Sequence, residues 1–224
     1  MLSTRRYPLW RGFTLIELLA VIAIMAVLMA ILIPMGRSVR AAADDAGCAS
    51  NLRQIGTAVQ LYVNENSGYL PGPSWSAISV QYSPRADIQN TTYGIRYNLF
   101  THLVPYLSHL SQTGARTYEE LACPGWRREA TDLTKPCYIA QDTLRDSKGV
   151  TFRPWGNAGS GEAPSESVYQ IESPSSTWAI RDVDKGNFSN TSSSYYSSLP
   201  DRPVHGDHRN VLYFDWHVGS VDAD

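Results

Sequence analysis

Polar and apolar positions divide the chain into three regimes. From Phe13 to Ile33, 21 residues in "FTLIELLAVIAIMAVLMAILI" carry a single charge, Glu17. As a helix this stretch is roughly 32 Å long, enough to cross the hydrocarbon core of a bilayer. Beyond Pro34 the pattern becomes one-sided. In residues 35–64, Leu52, Ile55, Val59 and Tyr62 recur at helical spacing, while Gln54, Thr57 and Gln60 fall off that stripe. Ala41 to Ala43 favour helix. The spacing predicts one helix from about Thr14 to Asn64, apolar all round in its first half and amphipathic in its second. Pro34 removes a backbone donor and crowds the carbonyl of Ala30, so it kinks or loosens the helix near residues 34–36. The apolar stripe is read as the face that packs on a globular head. "NENSGYLPGP" ends the helix with turn formers.

Residues 65–224 lack long periodic runs and suffice for one compact domain. Short strands are predicted at "TWAIRD" and near "VLYF" and "HVGSV", and a short helix broken at Pro105 in "LFTHLVPYLSHL". Residues 156–167 and 186–200 read as loops. The predicted fold class is α+β: a long N-terminal helix packed on a small antiparallel sheet with long loops.

Charge changes the picture at the N-terminus. "MLSTRRYPLWRG" holds Arg5, Arg6 and Arg11 and no acid, which places the N-terminus in the cytoplasm and the chain beyond the span outside it. A secretory signal peptide would have a shorter apolar region followed by a small-residue cleavage site. Glu17 is costly where it stands, and two readings apply. It is either a carboxylate snorkelling to the headgroups or one half of an ion pair. If the chain were cut after Gly12, the new Phe13 amine would lie one helical turn from Glu17 and could neutralise the Glu17 of a neighbouring copy.

"RGFTLIELLAVIAIMAVLMAILIP" resembles the N-terminus of type IV prepilins and type II secretion pseudopilins, with its short basic leader, Gly12, Phe13, "TLIE" and a long apolar stretch. The resemblance implies a pilin-like fold, with residues 1–12 a leader, 13–34 a transmembrane helix, 35–64 its amphipathic continuation and 65–224 an extracytoplasmic head. It implies cleavage between Gly12 and Phe13 by a prepilin peptidase, N-methylation of Phe13, and pairing of Glu17 with the Phe13 amine of an adjacent subunit. The implied partners are that peptidase, other pilin-like subunits in a homo- or hetero-filament, and the inner (cytoplasmic) membrane. The protein would be a single-pass structural subunit with its head periplasmic or extracytoplasmic, and no enzyme. The rival reading is an uncleaved membrane-anchored extracytoplasmic binding protein.

A second resemblance lies in the tail. "HGDHRNVLYFDWHVGSV" is similar to a C-terminal region of pilin-like proteins in which a histidine is followed, nine residues on, by Asp-Gly. His205 and Asp215 fit, but Trp216 stands at the glycine. "CASNLRQIGTAVQLY", "LACPGW" and "IESPSSTWAIRD" also resemble recurring stretches of that group. A two-residue Asp215–Trp216 turn would set Phe214 opposite His217. Tryptophan suits such a turn poorly, so a longer or differently shaped loop between intact strands is expected.

Composition narrows the chemistry. Loss of the three leader arginines would take the net charge from −2 to −5, and no Lys/Arg run points to nucleic acid. Cys48, Cys123 and Cys137 are an odd set for an oxidising space. A Cys123–Cys137 bridge, a Cys48–Cys123 bridge and three unpaired thiols are all open. His205, Asp207, His208, Asp215 and His217 crowd the C-terminus, but neither Gly-x-Ser-x-Gly nor His-Glu-x-x-His occurs, so catalysis is not expected. Some pseudopilins resembling this chain hold Ca²⁺ near the C-terminus, which makes Asp182, Asp184 and Asp215 calcium candidates. The histidines suit Zn²⁺ instead, and solvated turn carboxylates are the third reading.

Overall fold

The computed structural model describes residues 13–83, 93–107, 116–159 and 161–223. The leader, Gly12 included, lies outside the described residues. The chain divides into two units, Met1–Ala42 and Ala43–Asp224.

Helix α1 runs Leu15–Glu65 and is helical through residues 34–36. Its first turn is closed by a reciprocal cap. Glu17 N donates to Thr14 Oγ1 at 3.3 Å, and Thr14 N donates back to Glu17 Oε2 at 2.9 Å. Thr14-x-x-Glu17 is thus a capping box that satisfies two of the backbone donors a helix start leaves unpaired. Every residue from Phe13 to Ile33 is exposed, so among the described residues nothing covers this apolar surface. An all-round apolar helix requires lipid or other apolar helices around it.

The Ala43–Asp224 unit takes the last part of α1 as its central element. Cys48, Leu52, Ile55, Ala58, Val59 and Val63 are buried, with Tyr62 packed beside them. Gln54, Thr57 and Gln60 are exposed, so the apolar stripe is a core face as expected. Each fully buried Leu, Ile or Val contributes about 1.5–3 kcal/mol relative to exposure.

Opposite this face lies an antiparallel sheet of five strands in the order β1-β4-β7-β8-β9. The strands are β1 Ala77–Ile78, β4 Tyr138–Ala140, β7 Trp178–Asp182, β8 His208–Tyr213 and β9 Val218–Asp222. Two small ladders accompany it: β2 (Gln81–Tyr82) with β3 (Arg116–Thr117), and β5 (Leu144–Arg145) with β6 (Thr151–Phe152). Short helices α2 (Tyr93–Arg96), α3 (Leu99–Leu103) and α4 (Pro124–Glu129) fill the connections. As expected, α3 gives way to a 3₁₀ turn, Val104–Tyr106, at Pro105. Asn98 caps α3 by accepting from Phe100 N.

Strand periodicity decides what faces the helix. On β8 the even positions meet α1. His208 Nε2 and Asn210 Nδ2 contact Asp45 Oδ1 at 3.2 and 2.7 Å, and Leu212 lies so close that a Cβ on Gly56 would come within 2.8 Å of its Cδ1. On β7 the same face carries Ile180 and Asp182. The odd positions of β8 look away, where Arg209 meets Asp184.

The β8–β9 hairpin turns through three residues rather than two. Leu212 pairs with Val218, Tyr213 N donates to His217 O at 3.0 Å, and the loop is Phe214-Asp215-Trp216. Trp216 N donates to Tyr213 O, and Trp216 adopts φ +72°. This is a type I turn followed by a residue in the left-handed region, a position that favours glycine. Tyr213, not Phe214, therefore faces His217, and their rings stack at 4.3 Å. The expected differently shaped loop between intact strands is what forms.

Candidate functional site

Two places concentrate chemistry. The first is the start of α1. Phe13 is 75% exposed, and Glu17 stands four residues on with its Oε2 engaged by Thr14 N and Thr14 Oγ1. Glu17 Oε1 has no partner among the described residues.

The second lies inside the Ala43–Asp224 unit, between α1 and the sheet. Cys48, Cys123, Asp182 and His205 each bring one ligand atom into a single cluster, in which these atoms all lie within 4.8 Å of one another. Cys48 Sγ donates to Asp182 Oδ1 at 2.9 Å. Cys123 Sγ contacts His205 Nε2 at 3.1 Å, and that nitrogen is 3.4 Å from Asp182 Oδ2. Cys48 and Cys123 are fully buried, and the His205 and Asp182 side chains are 1% and 4% exposed.

Each member is held by its element. Cys48 rides on the buried stripe of α1. Cys123 caps α4 and is fixed from the helix side, because Asn51 Nδ2 donates to both Glu120 O and Ala122 O, at 2.9 and 3.0 Å. Arg128 on α4 reaches Asp44 on α1 at 2.5 Å. Asp182 ends β7, and its Oδ2 accepts Asn210 N from the neighbouring strand at 2.9 Å. His205 sits in the turn before β8, its ring 5.9 Å from that of His208. Gly125 leaves room for it, since a Cβ there would lie 3.3 Å from His205 Cε1. Behind the ring, His205 Nδ1 is 3.6 Å from Asp45 Oδ1 and is buried with no closer polar partner among the described residues.

The electrostatics follow from burial against short polar contacts. Burial alone would lower the pKa of His205, but the hydrogen bonds to Asp182 and Cys123 outweigh it and raise the value to about 10. Burial would raise that of Cys123, but contacts from Cys48 and His205 bring it below the ordinary thiol value. Burial, reinforced by Cys123 and Asp182, pushes Cys48 well up.

The sequence-derived site residues divide. Cys123 and Cys137 do not form a bridge. All three cysteines are free thiols, with Cys123 turned to His205 and Cys48, and Cys137 Sγ toward Ile78 O at 3.7 Å. The three calcium candidates are not gathered on one ion. Asp182 joins the four-residue cluster, while Asp184 is gripped by Arg209 through bonds of 2.6 and 3.1 Å. Asp215 stands at the β8–β9 turn, bound to His217 Nδ1 at 2.5 Å. Arg181 pairs with Val211, so Asp182 lies beside Asn210. Asp215 lies five residues beyond Asn210, three of them in β8 and two in the turn, roughly 15 Å away along the extended chain. Of the C-terminal histidines, His205 enters the cluster, His208 meets Asp45 and Asp207, and His217 serves the turn.

Residues 11–33 match the family model for the prokaryotic N-terminal methylation motif. The match supports the type IV pilin-like reading of the N-terminus and does not extend to the C-terminal region. No curated protein and no solved structure matches the chain.

Proposed function

We propose that the chain is a structural subunit of a type II secretion or related pilus-like filament, matured by a prepilin peptidase. The observation that carries this reading is the methylation motif at residues 11–33, placed on a helix whose apolar surface is bare from Phe13 to Ile33. Such a helix fits a single-pass anchor, and after extraction from lipid it fits a bundle of identical or related helices. Cleavage between Gly12 and Phe13 would free the Phe13 amine for methylation and for pairing with a neighbour's Glu17. The orientation follows from the leader arginines, with the N-terminus cytoplasmic and the head on the far side of the inner membrane. In this reading the head carries contacts and no turnover, and its partners are the peptidase and other pilin-like subunits.

N-terminal sequencing and intact mass of the membrane-extracted native protein test the proposal. The expected chain starts at N-methyl-Phe13. A chain retaining Met1 to Gly12 in a host with an active prepilin peptidase would overturn it and favour an uncleaved, membrane-anchored binding protein. Gly12→Val is expected to block the cut, because a branched side chain crowds the scissile bond.

A further inference from the structure

We infer that the head holds one structural Zn²⁺ ion, bound by Cys48 Sγ, Cys123 Sγ, one carboxylate oxygen of Asp182 and His205 Nε2. The donor set is the first argument. Two sulfurs, one imidazole and one carboxylate suit a borderline-soft tetrahedral cation. They do not suit Ca²⁺ or Mg²⁺, which take oxygen ligands in larger numbers.

Geometry is the second. Metal–ligand arms of about 2.0–2.3 Å give tetrahedron edges of roughly 3.3–3.8 Å. Three of the donor pairs lie at 2.9, 3.1 and 3.4 Å, and all the ligand atoms lie within 4.8 Å of one another. Entry of the ion therefore needs the short pairs to part by a few tenths of an ångström and any wider pair to close by no more than about 1–1.5 Å. The third argument is closure. All four side chains are buried or nearly so, which leaves no open position for water or substrate and marks the site as structural.

The surroundings supply what a bound imidazole and carboxylate need. A ligating histidine generally donates its other ring N–H to a carboxylate or carbonyl. His205 Nδ1 lies 3.6 Å from Asp45 Oδ1, slightly beyond hydrogen-bond distance, and Asp45 Oδ1 is itself fixed by Asn210 Nδ2 at 2.7 Å. The same Asn210 steadies Asp182 Oδ2 through its backbone N–H. One strand residue thus orients both a ligand and the partner of a ligand. On binding, the two sulfurs coordinate as thiolates and His205 as a neutral imidazole that keeps its proton on Nδ1, so the protons held on sulfur and on Nε2 leave to solvent. The ion would tie α1, the start of α4, the end of β7 and the turn before β8 at a single point.

The inference is independent of the filament reading and is tested on the full chain, purified in detergent without chelator and under reducing conditions. Elemental analysis is expected to give one zinc per chain. Replacement by Co²⁺ is expected to give tetrahedral d–d bands with thiolate-to-cobalt charge transfer. Cys123→Ser and His205→Gln should lose the metal, while Cys137→Ser keeps it. Asp45→Asn, which touches no ligand bond directly, should weaken zinc by about 10–100-fold in competition with a chelating dye. A wild-type chain that binds no more added Zn²⁺ than the Cys48→Ser/Cys123→Ser double variant would overturn the inference. So would native protein isolated with a Cys48–Cys123 disulfide and no zinc, or a cobalt spectrum without thiolate bands.

Discussion

Arg209→Met isolates a buried charge whose cost can be worked from the structure. The Asp184 and Arg209 side chains are 1% and 6% exposed, and the guanidinium bonds both carboxylate oxygens, at 2.6 and 3.1 Å. Asp184 Oδ1 also accepts Gly186 N at 2.8 Å. Removing the guanidinium leaves a carboxylate out of water with one backbone donor. Breaking a buried pair in this way costs about 3–5 kcal/mol. In urea, with a slope of about 2 kcal/mol per molar, the unfolding midpoint should fall by roughly 2 M. Tryptophan fluorescence of the full chain in detergent can follow the transition, since the sequence has six tryptophans. The double variant Asp184→Leu/Arg209→Met removes both charges and should recover most of the loss, short of the roughly 1 kcal/mol of the Gly186 bond. A single variant costing under about 1 kcal/mol, or a double variant no more stable than Arg209→Met, would refute the buried-charge argument. The same titration examines calcium. Asp184 could ligate Ca²⁺ only by releasing Arg209, so added Ca²⁺ should leave the wild-type midpoint unchanged. A rise that vanishes in Asp184→Asn would reverse that conclusion.

Two further outcomes rest on local geometry. At position 216, glycine should be more stable than alanine by about 1 kcal/mol, because both substitutions lose the tryptophan ring and only glycine relieves φ +72°. Equal stabilities, or alanine the higher, would mean that the turn relaxes to another shape. At Glu17, glutamine should keep the helix start intact, since either residue completes a capping box, whereas valine should fray it. Both should lower crosslinked multimers if the charge pairs with a neighbour's amine. Full multimer yield in Glu17→Gln would leave the carboxylate a cap and nothing more.

The elements legible in the sequence are those whose periodicity is long. Helix α1, 51 residues long, shows because its first half is an apolar run and its second repeats one spacing from Leu52 to Tyr62, and β7 through β9 show because their strands run five or six residues. The strands Ala77–Ile78 and Gln81–Tyr82 are too short to carry any alternation, and only their ladders define them. The cluster was hidden for a different reason. Cys48, Cys123, Asp182 and His205 show no ligand spacing, since each comes from a separate segment. They converge only because β7 and β8 turn one face to α1 while Asn51 draws the chain before Cys123 onto the helix. The three carboxylates that read as calcium candidates share a residue type and a place near the C-terminus. Strand register separates two of them by roughly 15 Å, and Arg209 takes the third.

Glu17 shows how one residue can satisfy two demands. Read alone, it is a charge in an apolar run and calls for a partner outside the chain. Read with Thr14, it completes a cap, a signal present in the spacing Thr14-x-x-Glu17 itself. The two roles use different atoms. Both bonds from Thr14 fall on Oε2, and Oε1 is left without a partner among the described residues. The cap would also survive a cut before Phe13, because Thr14 N would remain an amide. The cap holds the side chain in one direction before any neighbour arrives, so pairing with an incoming amine would not have to order a free carboxylate. In a membrane span the charge costs least where it stands, four residues in and near the headgroups, and there it would also be one turn from the amine that a cut before Phe13 would free. A carboxylate one turn deeper would lose the cap, and its intramembrane cost would rise.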